Sequence, residues 1–209
     1  MSDPLGVLAM IERLRSRAVT VPGPTPEQEE AERRRELAER LVRMGVPRRA
    51  AEIVASPDLR RTASVVVAER LARGEGCICV LAGGNGRGKT VAGGVAVWRR
   101  PGLVRAATAL ARPFPGPSVG EDPLQPWIRT KMLVIDDLGM EHSPGGYAAS
   151  ELLRIVNERE GALRPTLITT NLTAAQARER YGDRLMSRLA GDPLGWQQVA
   201  GADLRREPG

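Results

Sequence analysis

The amino-acid sequence predicts an α/β fold, in which helices flank a five-stranded parallel sheet and a helical extension precedes it. Three observations favour this class. Apolar, strand-like runs alternate with helical segments from residue 77 onward. A glycine-rich segment at residues 83–90 joins the first run to a helix. The third run ends in two acidic residues, Asp136 and Asp137, at the edge where parallel sheets bind ligands.

The strands are predicted from apolar runs bounded by turn residues. They span residues 77–82, 103–107, 132–136, 166–170 and 196–200. Helices are predicted between them over residues 89–99, 146–160 and 173–181. Residues 112–126 contain five prolines and are predicted to form an irregular loop. We therefore assign residues 57–209 to the α/β core.

The N-terminal third is predicted to be helical and rich in charged residues. A first helix is expected over residues 5–17, followed by a Pro-rich link at 21–24. Thr25 and Gln28 form a capping-box pattern that starts a helix ending at Gly45. A helical segment follows at residues 47–55, and another is expected from 57 to Gly74. We assign residues 1–56 to a partner-binding region, although such charges are also typical of a solvated helix face.

Composition limits the possible functions. Hydrophobic residues make up 42% of the 209 residues, which excludes wholesale disorder. A net charge of +6 permits contact with nucleic acid or an acidic partner, but an Arg-rich composition gives the same charge. Only two of the 31 basic residues are lysines, Lys89 and Lys131. A lysine at position 89 is therefore informative.

A reduced, cytoplasmic protein with no membrane contact is the expectation for this chain. No apolar run reaches the ~18 residues that a membrane-spanning helix needs. The N-terminus has no secretory pattern. The only cysteines, Cys77 and Cys79, lie two residues apart within one predicted strand, which does not suggest a metal site.

The glycine-rich segment matches the Walker A pattern, G-x-x-x-x-G-K-[ST]. Its glycines let backbone N–H groups turn inward around phosphates, and the helix that follows presents its positive end to them. The ammonium group would reach the outer phosphates, and the threonine hydroxyl would ligate Mg²⁺. We predict an ATP- and Mg²⁺-binding P-loop at Gly83, Gly84, Asn85, Gly86, Arg87, Gly88, Lys89 and Thr90.

Acidic side chains follow the third predicted strand. Four apolar residues precede Asp136 and Asp137, as expected for a buried parallel strand. Asp136 would hold Mg²⁺ together with Thr90, in a Walker B role. Asp137 would polarise the attacking water. The alternative is that residues 137–139 form only a turn.

Polar residues late in the chain are candidates for contact with the γ-phosphate. Asn171 follows the fourth strand and would touch this phosphate or the water, although Asn also caps strands and helices. Arg184 and Arg188 lie four apart on one helical face. An arginine neutralises transition-state charge in phosphoryl transfer, but from these residues alone two surface arginines in an Arg-rich chain are the preferred interpretation.

The order of these motifs resembles the AAA+ ATPases, and within them the DnaC-like and IstB-like group. The resemblance covers residues 40–206. Within this range, the stretches 44–47 and 201–205 also resemble the group. It implies that Asn171 is sensor 1 and that Arg188 is an arginine finger acting on a neighbouring subunit, with Arg184 as its companion or substitute. It implies that Arg205 is a sensor 2 residue.

The resemblance also implies partners. A finger supplied in trans requires a nucleotide-dependent homo-oligomer. Loaders of this group bind a DnaB-type replicative helicase through the N-terminal region and single-stranded DNA through the ATPase ring. The preferred hypothesis is thus a helicase-loader-like replication ATPase. The alternatives are an IstB-like transposition helper, a small-molecule P-loop kinase with both arginines in a lid, and a nucleotide-gated adaptor with little turnover.

Overall fold

The computed structural model describes residues 23–111, 122–142, 146–201 and 203–204. The predicted helix over residues 5–17, most of the Pro-rich loop and Arg205 lie outside these residues. Two compact units are present, residues 1–33 and residues 34–209. Helix α1 spans Pro26–Arg43. Its beginning, up to Arg33, belongs to the first unit.

The capping box predicted at the start of α1 is confirmed. The Gln28 backbone N–H donates to Thr25 Oγ1 over 3.2 Å, and the Thr25 N–H donates to Gln28 Oε1 over 2.8 Å. Arg33 pairs with Glu29 one turn earlier at 2.9 Å, a spacing that supports helices. These local interactions explain why so polar a segment is helical.

Among the described residues, the second unit contains the remaining helices and the five strands. Before the sheet come α2 (Arg48–Ala55) and α3 (Ala63–Arg73). The central elements are β1 (Ile78–Ala82), α4 (Lys89–Arg99), β2 (Leu103–Ala106), a 3₁₀ turn (Ala107–Ala111), α5 (Gln125–Arg129) and β3 (Leu133–Leu138). The last are α6 (Tyr147–Gly161), β4 (Thr166–Thr170), α7 (Ala174–Gly191) and β5 (Gly195–Gln198).

The five strands form one parallel sheet in the order β2-β3-β4-β1-β5. The predicted five-stranded α/β fold is therefore confirmed. Alternate side chains of β1 enter two separate apolar layers, with Cys79 and Leu81 in one and Ile78 and Val80 in the other. Because both of its faces are covered, the central strand β1 reads as a continuous apolar run.

Helices α2, α3 and α4 contribute to one of these layers. Ala51 and Val54 of α2 are buried there with residues of α4. A Cβ built on Gly94 of α4 would lie 3.0 Å from Val54 and 3.2 Å from Val46, so a glycine permits this close approach. The boundary at residues 56/57, between a partner-binding region and the core, stays a prediction.

Two local predictions are wrong. Helix α3 begins at Ala63, not near residue 57, because Thr62 caps it and accepts from the Val65 N–H over 3.3 Å. The last two residues of the predicted irregular loop begin the short helix α5, which has a proline in its first turn, where the missing N–H has no cost. Among the described residues, no helix has the length and apolar character needed to cross a membrane.

Helix α7 is longer than the helix predicted at 173–181. It starts with a capping box between Thr173 and Gln176 and continues to Gly191. Gly182 interrupts it with φ 81° and ψ 163°, backbone angles that glycine adopts without a steric penalty. The second half of α7 carries the two candidate arginines and packs through Leu185 and Leu189, both buried.

Candidate functional site

The glycine-rich loop lies between β1 and α4, as predicted. Gly86 and Gly88 have φ values of +74° and +75°, in the left-handed region that favours glycine. A Cβ on Gly83 would lie 2.5 Å from the Val199 carbonyl oxygen. The loop thus needs glycine both for its turns and for close approach to the chain after β5.

Lys89 is the first residue of α4 and is only 6% exposed. Its ammonium group donates to the carbonyl oxygens of Gly83 and Gly84 over 2.6 and 2.8 Å. It also donates to Asn171 Oδ1 over 2.9 Å. The structure therefore brings Asn171, which follows β4, to the mouth of the loop. A buried cation beside loop amides is an arrangement suited to phosphate oxygens.

Asp136 lies in β3, beside Thr90 of α4. Its Oδ1 accepts from Thr90 Oγ1 over 3.3 Å and from Thr169 Oγ1 over 2.6 Å. Burial raises the pKa of Asp136 above its ordinary value, and the hydrogen bond from Thr169 opposes this rise. The nearby charge of Asp137 raises the pKa further.

A divalent cation fits these residues chemically. Hydroxyl and carboxylate oxygens are ligands that Mg²⁺ prefers, and a cation would offset the cost of burying the ionised carboxylate. The described residues contain no group of three or more His, Cys, Asp or Glu side chains able to hold a metal. Mg²⁺ at Thr90 and Asp136 would thus take its remaining ligands from phosphate and water, as is usual for this ion.

Asp137 is exposed, unlike Asp136. Its φ of 58° is in the left-handed region, uncommon for residues other than glycine. The pairing of β3 with β4 shifts register between Ile135 and Leu138, and this irregularity brings Asp137 out of the buried run. Such backbone outliers cluster at functional sites.

Thr169 is a site residue that sequence reasoning missed. Thr169 is fully buried in β4. Its hydroxyl donates to Asp136 and accepts from the Asp137 backbone N–H over 2.9 Å. One side chain therefore fixes both acidic residues. The available signal was a hydroxyl residue near the carboxyl end of the strand, directly before Thr170 and Asn171.

The two candidate arginines are not brought to this cluster. Arg188 forms an ion pair with Glu160 near the end of α6, shortly before β4 begins. That is the amino edge of the sheet, whereas the loop follows the carboxyl end of β1. A five-residue strand separates the edges by roughly 16 Å. Arg184 is exposed nearby and lines a surface cavity of about 460 Å³ with Arg188.

The chain after β5 returns to the glycine-rich loop. The Val199 N–H donates to the Ala82 carbonyl over 2.7 Å, and the Leu204 N–H donates to the Gly86 carbonyl over 2.9 Å. A Cβ on Gly86 would approach Asp203 Oδ1 to 1.6 Å. The segment that precedes Arg205 therefore packs on the loop, while Arg205 itself is outside the described residues.

Comparison with known proteins gives structural matches only. No model of a protein family and no curated protein sequence matches the chain. A DnaC helicase loader structure is 17% identical with a TM-score of 0.53, covering 68% of this chain and 93% of that one. AMPPCP-bound DnaA from Aquifex aeolicus is 20% identical with a TM-score of 0.51, covering 67% of this chain and 46% of DnaA.

A third structure, described as a primosome component from Streptococcus pyogenes serotype M3, agrees. It is 14% identical with a TM-score of 0.51, covering 77% of this chain and 93% of that one. The chain shares the fold of these structures, a DnaC helicase loader among them. At these identities the likeness concerns the fold. Within this fold, Lys89, Thr90, Asp136 and Asn171 meet at one edge of the sheet.

Proposed function

We propose that this protein is an ATP-binding and ATP-hydrolysing accessory ATPase of DNA replication, similar to a helicase loader. The observation that carries the proposal is one cluster at the carboxyl edge of the sheet. There Lys89 contacts Asn171, and Thr90 contacts Asp136. Cation, amide, hydroxyl and carboxylate are the groups that bind and hydrolyse a nucleoside triphosphate.

The residues of this cluster have distinct roles in the proposed reaction. The loop N–H groups and Lys89 hold the β- and γ-phosphates, and Thr90 and Asp136 hold the metal. Mg²⁺, when bound, neutralises charge on the phosphate oxygens. Asp137, exposed beside Asp136, orients the attacking water and accepts its proton. Asn171 contacts the γ-phosphate through its Nδ2–H donor, or the attacking water through Oδ1, the atom that accepts from Lys89 in this structure.

Arg188, with Arg184 as its companion, serves the site of a neighbouring subunit. The support is positional, because both lie at the amino edge of the sheet, away from the loop of their own chain. An arginine supplied in trans makes hydrolysis depend on assembly. We therefore propose a nucleotide-dependent homo-oligomer, in which Arg205 acts as sensor 2.

The proposed partners are single-stranded DNA and a DnaB-type replicative helicase bound through the N-terminal region. The likeness of the fold to a DnaC helicase loader and to DnaA supports a replication role. The net charge of +6 suits a nucleic-acid partner.

The test measures phosphate release from ATP by the full chain, alone and with single-stranded DNA and a DnaB-type hexamer. We expect slow basal release that rises when DNA and helicase are added, and association with the helicase that depends on a non-hydrolysable ATP analogue. The Lys89→Ala variant should lose both responses. Binding to a transposase with no helicase contact would replace the loader proposal by the IstB-like one. Transfer of phosphate to a small acceptor in preference to water would contradict both.

A further inference from the structure

A nearly buried carboxylate lies just after β3, outside the group of site residues described above. Glu141 is only 2% exposed and follows Asp137 by four residues. Acidic side chains are rarely buried so completely unless other groups compensate their charge. The contacts of Glu141 therefore bear on its role.

One oxygen of Glu141 closes the turn that follows Asp137. The Gly139 backbone N–H donates to Glu141 Oε2 over 2.8 Å. Within the same turn, the Met140 N–H donates to the Asp137 carbonyl oxygen over 3.2 Å. Gly139 has a φ of +105°, which residues with a side chain rarely adopt. Hydrogen bonds thus fix this turn, and Asp137 is its first residue.

The other oxygen of Glu141 is held by helix α7. Arg180 Nε donates to Glu141 Oε1 over 3.2 Å, and the Tyr181 hydroxyl donates to the same oxygen. The Arg180 guanidinium also donates to the Glu141 backbone carbonyl. Burial and the bond to Glu141 raise the pKa of Tyr181 above its ordinary value, so its hydroxyl stays protonated and remains a donor.

Helix α7 is itself fixed beside the nucleotide site. It starts with the capping box at Thr173, two residues after Asn171. Ala177 is buried, and the two residues that donate to Glu141 end this half of the helix, directly before the break at Gly182. The first half of α7 therefore gives the carboxylate a fixed anchor.

We propose that Glu141 is a positioning residue for ATP hydrolysis, which holds the turn after β3 so that the Asp137 carboxylate faces the attacking water. The inference rests on the proposed function, and Glu141 acts through Asp137 and not on the nucleotide itself.

The backbone of Asp137 needs such support. Its φ of 58° is a conformation that persists where the surrounding structure fixes it. Thr169 accepts from the Asp137 N–H, and the turn closed by Glu141 holds the Asp137 carbonyl. With both peptide groups fixed, the direction in which the side chain leaves the backbone is set.

The test replaces Glu141 by glutamine, which keeps the shape but offers one acceptor oxygen in place of two. Glu141→Gln must leave either the Gly139 N–H or the donors of α7 without an acceptor. Phosphate release is measured under single-turnover conditions, and affinity by calorimetry with Mg²⁺ and a non-hydrolysable ATP analogue. We expect the rate constant to fall by roughly tenfold to hundredfold, as for a slightly misplaced reacting group. Affinity should change by less than about twofold, because the groups that hold phosphate and metal stay in place.

A second comparison separates positioning from a structural role. In an Asp137→Asn background, the carboxylate that Glu141 positions is absent, so adding Glu141→Gln should cause little further loss of rate. A merely structural role would lower the rate by the same factor in both backgrounds. Tyr181→Phe removes one donor and keeps the ring. It should slow hydrolysis with the same selectivity, and it replaces Glu141→Gln if that variant does not fold.

Glu69→Gln is the matched control. The Glu69 side chain on α3 is 12% exposed and pairs with Arg99 over 2.9 Å and with Arg61 over 3.3 Å. This variant should keep the wild-type rate and affinity. A wild-type rate for Glu141→Gln, parallel losses of rate and affinity, or an equal loss in Glu69→Gln would overturn the inference alone. If the wild-type chain releases no phosphate, the proposed function fails and this inference fails with it.

Discussion

The role of Thr169 can be tested by replacing it with valine, which has nearly the same shape. The wild-type hydroxyl is fully buried, donates to Asp136 over 2.6 Å and accepts from the Asp137 N–H over 2.9 Å. Thr169→Val removes both bonds without opening a cavity. A hydrogen bond to a charged group contributes about 1.5–3 kcal/mol, and an orphaned buried donor costs about 1–3 kcal/mol.

We expect Thr169→Val to lower the free energy of unfolding by about 2–4 kcal/mol at neutral pH, measured by urea denaturation. The variant should also alter the pH dependence of activity. Burial already raises the pKa of Asp136, and the Thr169 bond holds it down. Losing this hydrogen bond should raise the pKa of Asp136 further. The acid limb of Mg²⁺-dependent ATP hydrolysis should therefore shift to higher pH.

The sign of the stability effect follows from linkage. A carboxylic acid whose folded pKa is raised destabilises the fold once it ionises. Its stabilising neutral form is present below the ordinary pKa and is lost as pH rises through the folded pKa. The stability deficit of Thr169→Val should therefore be smaller near pH 4 than at pH 7.

Thr170→Val is a matched control on the same strand. Thr170 is equally buried, donates to the Leu138 carbonyl over 2.6 Å and accepts from the Leu172 N–H over 3.1 Å. It should lose comparable stability without moving the acid limb, because its hydroxyl bonds to neither acidic residue. Identical pH profiles for the two variants, or an unchanged stability of Thr169→Val, would refute the assignment of Thr169.

Three other predictions concern neighbouring groups. Asp136→Asn should leave the free energy of unfolding at neutral pH equal or higher, because it removes a buried charge while keeping a hydrogen-bond acceptor. The same variant should abolish Mg²⁺-dependent hydrolysis. A large loss of stability in thermal denaturation would argue against a raised pKa of Asp136. Arg188→Ala should bind ATP normally and lose turnover by about 10³-fold, and mixing it with Asp137→Asn should restore part of the activity; failure of mixed oligomers to recover would exclude a finger in trans. Cys79, whose pKa burial raises to about 12, should resist alkylation at pH 8 in the folded chain, and labelling as fast as in urea would contradict its burial.

The sequence predicted the strands and the loop because each signal is local. Walker A spacing and a continuous apolar run before Asp136 require no knowledge of distant residues. The wrong predictions arose where local signals competed. Prolines in residues 112–126 indicated a loop, but Pro126 stands in the first turn of α5, and the true cap of α3 is Thr62.

The contacts that complete the site depend on the sheet. Thr169 reaches both acidic residues only because β3 and β4 are neighbours with a register shift. Glu141 meets Arg180 and Tyr181 only because α7 packs beside the turn after β3. Likewise, the placement of Arg188 at the opposite edge depends on where α7 lies against α6. None of these relations is encoded in spacing along the chain.

The most direct measurement is calorimetric binding of a non-hydrolysable ATP analogue, with and without Mg²⁺, to the wild-type chain and two lysine variants. Lys131 is the other lysine of the chain, is exposed, and precedes β3 at the amino edge, so Lys131→Ala controls for loss of a positive charge. We predict tight, Mg²⁺-enhanced binding by the wild type and by Lys131→Ala, and little or none by Lys89→Ala. Equal affinity for all three proteins, or no binding by the wild type, would contradict the account.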